Sequence, residues 1–181
     1  SQGFLWFGTK YGLNKYDGMT VKPYFHDPNP KNKNSLVGNF AHWIQEDSEG
    51  SLWISTWGDG ISKYDPKLDK FTNYRHDETN QNSLASNNVW SLFVDSRGFI
   101  WSATDNGVSI LNPQNKSFVN YRHDPKNPES LSNNMVSRIR EDTKGIYWIS
   151  TYGGGLNRFD TETKRFKVYK HITGDSHSLS K

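Results

Sequence analysis

The chain has no cysteine among its 181 residues and only two methionines. A disulfide framework and thiol chemistry are therefore excluded, while either redox compartment remains compatible. No apolar run approaches the roughly 18 residues of a membrane-spanning helix. No signal peptide is visible, so any export signal or anchor would lie outside this sequence. Charge of one sign is also missing: 22 Lys and Arg are scattered among 19 Asp and Glu, for a formal net charge of +3. There is no basic stripe of the kind that tracks nucleic acid. Only 33% of residues are apolar, yet 14% are aromatic. That combination suits many short strands that bury large rings and expose polar edges. The length suffices for one domain with a real core.

What is present is a repeat. One phrase occurs four times: Gly3-Phe-Leu-Trp-Phe-Gly-Thr9, Gly50-Ser-Leu-Trp-Ile-Ser-Thr56, Gly98-Phe-Ile-Trp-Ser-Ala-Thr104 and Gly145-Ile-Tyr-Trp-Ile-Ser-Thr151. Trp6, Trp53, Trp101 and Trp148 are 47, 48 and 47 residues apart. A fixed period of this size means a repeat architecture. Positions that recur build the unit, and positions that differ are free for other work.

The second copy shows the unit. Phe40 to Glu46 reads as a strand, A. Asp47-Ser-Glu-Gly50 is a type I turn, with Gly taking the left-handed conformation beyond it. Leu52 to Thr56 is rich in strand formers and reads as strand B. Gly58-Asp-Gly60 turns the chain, and Ile61 to Tyr64 alternates as strand C. Asp65 to Lys70 is a polar turn, and Phe71 to Tyr74 is strand D. The turn recurs as Asp95-Ser-Arg-Gly98 and Asp142-Thr-Lys-Gly145. Four short antiparallel strands per repeat, without helical periodicity, describe a β-propeller blade. The expected fold is all-β, with repeats at about 1–37, 38–85, 86–132 and 133–181. The four tryptophans, with Phe71, Phe118 and Phe166, should fill the space between blades.

Ser1-Gln2-Gly3 aligns with Ser48-Glu49-Gly50, and Ser178-Leu179-Ser180 aligns with Ser35-Leu36-Val37. The first blade therefore lacks its inner strand. The expectation is a segment of a larger propeller, which alone would be an open arc prone to self-association.

The motif Gly-x-(Leu/Ile/Phe)-Trp-(Ile/Phe)-(Gly/Ser/Ala)-Thr, followed by Gly-(Leu/Ile/Val)-x-x-(Tyr/Phe)-Asp, resembles the two-component regulator propeller repeat. Gly12-Leu-Asn-Lys-Tyr-Asp17, Gly60-Ile-Ser-Lys-Tyr-Asp65 and Gly155-Leu-Asn-Arg-Phe-Asp160 carry its second half, and Gly107-Val-Ser-Ile-Leu-Asn112 departs slightly. The linker Tyr121-Arg-His-Asp-Pro-Lys-Asn-Pro-Glu-Ser-Leu-Ser-Asn133 is similar as well. The resemblance implies a seven-bladed propeller in the extracytoplasmic, periplasmic part of an inner-membrane sensor histidine kinase, often of the hybrid type. Such sensors detect oligo- or polysaccharide fragments and switch on glycan-use genes. The remaining blades, a membrane span and the kinase would lie outside this segment, which would itself be non-catalytic and need no cofactor.

Candidate ligand residues are those that vary between copies on one face. After the recurrent Thr of strand B lie Lys10, Trp57, Asp105 and Tyr152, then Tyr11, Asp59 and Asn106. Early in strand A are Phe40, His42, Trp43, Trp90 and Arg138. Aromatic platforms flanked by polar groups suit sugars, because rings cover C–H faces while polar groups meet hydroxyls. The same rings would serve packing under loops or a protein interface. His26-Asp27, His76-Asp77 and His123-Asp124 recur once per blade, too far apart to share an ion, and read as loop caps. The sequence calls for no metal, nucleic acid or membrane insertion. A dimerising scaffold, or a propeller lyase or glycosidase, is the alternative, since fold alone excludes neither.

Overall fold

The computed structural model describes residues 3–29 and 31–180. Ser1 and Gln2, matched above to a turn, lie outside the described residues. The chain forms four antiparallel sheets in sequence order, and the described residues contain no helix. The first blade has three strands, β1 (Leu5–Thr9), β2 (Gly12–Tyr16) and β3 (Val21–Tyr24). The second has β4 (Ala41–Glu46), β5 (Leu52–Thr56), β6 (Gly60–Asp65) and β7 (Lys70–Tyr74). The third has β8 (Val89–Val94), β9 (Ile100–Thr104), β10 (Gly107–Asn112) and β11 (Ser117–Tyr121). The fourth has β12 (Val136–Glu141), β13 (Tyr147–Thr151), β14 (Gly155–Phe159) and β15 (Phe166–Tyr169). Each strand pairs with its neighbours in the chain, as in a propeller blade.

Three core clusters sit where consecutive blades meet. Period-two alternation sends the rings of one blade in opposite directions. Phe71 packs back toward the first blade, with Leu13 and Ile54, while Trp53 packs forward against Leu92, Ile100 and Phe118 of the third. Trp53 and Trp101 are fully buried, and each side chain of that kind contributes about 2–3 kcal/mol. Trp6 and Trp148 occupy the same place in the first and last blades but are only partly buried. Recurrence therefore marks the residue type, while burial depends on which blade stands opposite.

The A–B turns hold the tryptophans. Asp47 Oδ1 accepts from the amides of Glu49 and Ser51, and its Oδ2 accepts from Trp53 Nε1 at 2.9 Å. The same clamp joins Asp95 to Trp101 and Asp142 to Trp148, both at 3.0 Å. One carboxylate thus closes the turn and satisfies an indole N–H that burial would otherwise strand.

The D–A loops are equally regular. Nδ1 of His26, His76 and His123 lies 2.7, 2.6 and 2.7 Å from the carbonyls of Leu36, Leu84 and Leu131. His171 repeats the contact with Leu179. Its neighbour Ile172 still serves, because the bond to Ser178 Oγ comes from the backbone amide. The histidines are loop caps.

Candidate functional site

The B–C turns and D–A loops share one rim of the arc, opposite the A–B turns. On that rim, the three inner strands share an irregularity. Pairing with strand B slips between Ala41 and Trp43, between Val89 and Ser91, and between Val136 and Arg138. The extra residues are His42, Trp90 and Ser137. A bulge redirects a side chain out of the regular alternation. At these positions it frees the residue from the blade core.

The bulge residues and B–C turn residues together form a continuous row of rings. Phe40 meets His42 edge-on at 6.2 Å between ring centres, and His42 meets Trp57 at 5.9 Å. Trp57 meets Trp90 of the third blade at 4.6 Å, nearly perpendicular. Trp90 meets Tyr152 of the fourth blade at 5.8 Å. The row crosses three blades, and Trp57 and Tyr152 remain 39% and 52% exposed. Rings that stay this open while touching one another expose a connected apolar surface.

Below it lies a second pair. Trp43 pairs with Ser55 and Arg138 with Ser150, each two residues from Trp57 and Tyr152 on the adjacent strand. The Arg138 guanidinium sits over the Trp43 ring, 4.1 Å from its centre. The contact links the second and fourth blades. It passes the third where the equivalent residue is Ser91, which donates to the Ser137 carbonyl at 3.0 Å.

The remaining sequence candidates are placed differently. Asp59 is ion-paired with Arg75 at 3.3 Å. Asp105 accepts from Asn88 Nδ2 at 2.6 Å. Asn106 donates to the Ala85 carbonyl at 3.2 Å. These three tie B–C turns to neighbouring loops. Lys10 and Tyr11 lie on the first blade's turn, where Tyr11 is 79% exposed and the Thr9 hydroxyl accepts from its amide. The row that brings Trp57, Trp90, His42 and Tyr152 together does not include them. A cavity of about 930 Å³ lies away from the row, between the loop after β3 and strand β7, lined in part by His26, Lys31, Lys70 and Arg75. The row is an open platform rather than a cavity.

Sequence reasoning did not anticipate Asn39, Asn87 and Asn134. Each Oδ1 accepts from the amide of the loop histidine, at 2.7 or 2.8 Å, and so sets where the following inner strand begins. Their recurrence at the repeat interval was the available signal.

Residues 35–58, 83–106 and 130–153 match the model of the two component regulator propeller family. Each match runs from the end of a D–A loop through strands A and B, the segment that carries the bulge and the Asp–Trp clamp. Those three segments thus resemble two-component regulator propeller repeats. Among solved structures, the chain resembles the extracellular domain of BT3049 from Bacteroides thetaiotaomicron, a protein assigned to the hybrid two component systems. The identity is 26% and the TM-score 0.84, over 94% of this chain and 24% of that one. It also resembles the extracellular domain of BT4673 from the same organism, assigned to the one component systems. There the identity is 24% and the TM-score 0.72, over 93% of this chain and 24% of that one. Virginiamycin B lyase from Staphylococcus aureus shares the fold at 15% identity and a TM-score of 0.66, over 96% of this chain and 54% of that one. This chain thus spans about a quarter of the length of the two Bacteroides structures. No curated protein sequence matches it significantly.

Proposed function

We propose that this propeller segment is a ligand-binding part of an extracytoplasmic sensor, and that its ligands are oligo- or polysaccharide fragments. The observation that carries the reading is the open row Phe40, His42, Trp57, Trp90 and Tyr152. Pyranose rings present flat C–H faces, and exposed indole and phenol rings are the side chains that cover them. A row spread over three blades suits an extended chain of sugars better than a single small molecule. The likeness to extracellular domains of two-component systems supports an extracytoplasmic location. In this reading the segment is itself non-catalytic and belongs to a sensor anchored in an inner membrane. A histidine kinase in the same longer polypeptide carries the signal to glycan-use genes.

Titration calorimetry against a panel of oligosaccharides tests the assignment. Trp57→Ala and Trp90→Ala should each weaken binding at least tenfold while circular dichroism stays unchanged. Unaltered affinity in both folded variants would remove the site.

A scaffold role is the second reading, favoured by one observation. Leu5, Phe7 and Val21 of the first blade are 58%, 46% and 59% exposed. The equivalent residues of the second blade, Leu52, Ile54 and Phe71, are 5%, 0% and 5% exposed. That face has the composition of a blade interface.

A further inference from the structure

Arg138 is the one charged group on the inner wall beside the ring row whose side chain lacks a polar partner among the described residues. Its guanidinium carbon lies over the Trp43 ring, 4.1 Å from its centre, and the residue is exposed. The carboxylates of the same rim are occupied: Asp59 by Arg75, and Asp105 by Asn88. The acids of the inner strands and their turns, Glu46, Asp95 and Glu141, stand at the opposite rim, at or just beyond the far ends of β4, β8 and β12. Beside the row stands also the imidazole of His42, and Arg140, two residues further along β12, donates to the Ile139 carbonyl at 3.3 Å.

We infer that the saccharide bound along this row is acidic, and that Arg138 receives its carboxylate or sulfate group. The inference rests on the sugar-binding reading above and adds the charge of the ligand. A guanidinium stacked on an indole keeps its N–H donors in the ring-parallel plane, directed outward. That fork matches a carboxylate or sulfate bidentately. Stacking also fixes the side chain in advance, so less freedom is lost when the anion arrives. Ser91 contributes by being small. A larger residue at that place on the third blade would stand between Arg138 and Trp43. The cation lies over Trp43 on the wall beside the row, so a sugar bound on those rings would project its anionic substituent toward it.

The test compares oligogalacturonate, its fully methyl-esterified form and a chondroitin sulfate oligosaccharide of matched length, by calorimetry on the intact chain. At least one acidic probe should bind, with the ester tenfold or more weaker. Oligogalacturonate carries carboxylates alone and chondroitin sulfate carries both groups, so binding of the second without the first assigns the sulfate. Arg138→Met should reduce the acidic ligand's affinity at least tenfold and leave the ester's unchanged, with Trp57→Ala weakening all. Arg138→Lys should recover part of the loss. An ester that binds as tightly as its acid would overturn this inference and leave the sugar reading standing. So would an Arg138→Met variant that weakens acid and ester equally, since Arg138 would then only support Trp43. If no probe binds, the inference falls together with the reading beneath it.

Discussion

Tyr147 of the fourth blade donates its phenolic hydrogen to Asp95 Oδ2 of the third, 2.8 Å away. The same oxygen accepts from Trp101 Nε1, and the Tyr147 and Trp101 rings stack at 4.3 Å. One buried carboxylate thus closes a turn, anchors its own blade's tryptophan and fastens the next blade. Asp47 and Asp142 do the first two of these things with Trp53 and Trp148.

Replacing Asp95 should therefore cost more than replacing its equivalent in the last blade. Asp95→Ala leaves the buried Trp101 Nε1 without an acceptor and leaves the Tyr147 hydroxyl only the longer bond to Glu141 Oε1 at 3.3 Å, and is expected to cost about 3 kcal/mol in urea unfolding. Asp142→Ala should cost clearly less, because among the described residues Asp142 accepts only from its own turn and Trp148. Equal losses would show that the bond between blades adds nothing.

Acid should act through the same group. Burial works against the charged form of Asp95, but hydrogen bonds from Trp101, Tyr147, the Phe99 amide and Arg97 outweigh it and hold the carboxyl below its ordinary 3.8. A group whose folded pKa lies below its unfolded one contributes stability in full above about pH 4, and that stability is lost as pH falls through the folded value. The urea midpoint of the native chain should drop between pH 7 and pH 3. Asp95→Asn, less stable at pH 7, should lose less over the same interval. Parallel losses in both proteins would assign the acid sensitivity to other carboxylates.

Two glycines separate backbone strain from close packing. Gly98 has a φ of +83°, and a methyl added there would meet nothing within 4 Å. At Gly107, with φ +103°, the added methyl would lie 2.2 Å from the Tyr121 carbonyl oxygen. Gly98→Ala should cost about 1 kcal/mol. Gly107→Ala should cost about 3 kcal/mol and shift the β10–β11 register. Similar costs at both sites, read from thermal unfolding, would contradict the contact argument.

The exposed face of the first blade predicts association. Leu5, Phe7 and Val21 stand where later blades bury their interface, and the fourth blade turns Trp148 and Tyr169, 5.8 Å apart, toward its open side. Trp53 and Tyr74 make the equivalent pair, and that pair is covered by the third blade. In this segment taken by itself, the fourth blade of one copy should dock on the first blade of another, continuing the arc head to tail. Sedimentation should show oligomers that grow with concentration, and Phe7→Glu should return a monomer. A native chain that stays monomeric at high concentration would sink the proposal.

Much of the architecture was legible in the sequence, because repeats supply their own alignment. Strand β5 runs from Leu52 to Thr56, as its β-branched and aromatic run suggests, and the turn carboxylates fall where an Asp and a Gly three residues apart place them. The strand A bulges were not legible. Nothing in Phe40-Ala-His-Trp43 distinguishes an inserted residue from strict alternation, since the slip is set by pairing with the neighbouring strand. The Arg138–Trp43 contact was equally hidden. The two residues are 95 positions apart, and only the curvature of the arc brings them together. Variation between copies pointed to Trp57, Trp90 and Tyr152 as a set, but not to Asp59, Asp105 and Asn106 being held by neighbouring loops.

The bulges at His42, Trp90 and Ser137 have an evolutionary consequence. Each lies outside the two-residue rhythm that commits every other strand position to one blade interface or the other. Exchange there changes what the wall presents without repacking a core. Recognition can then drift while the scaffold stays put, and a library randomised at those three positions should return mostly folded proteins with widely different binding preferences.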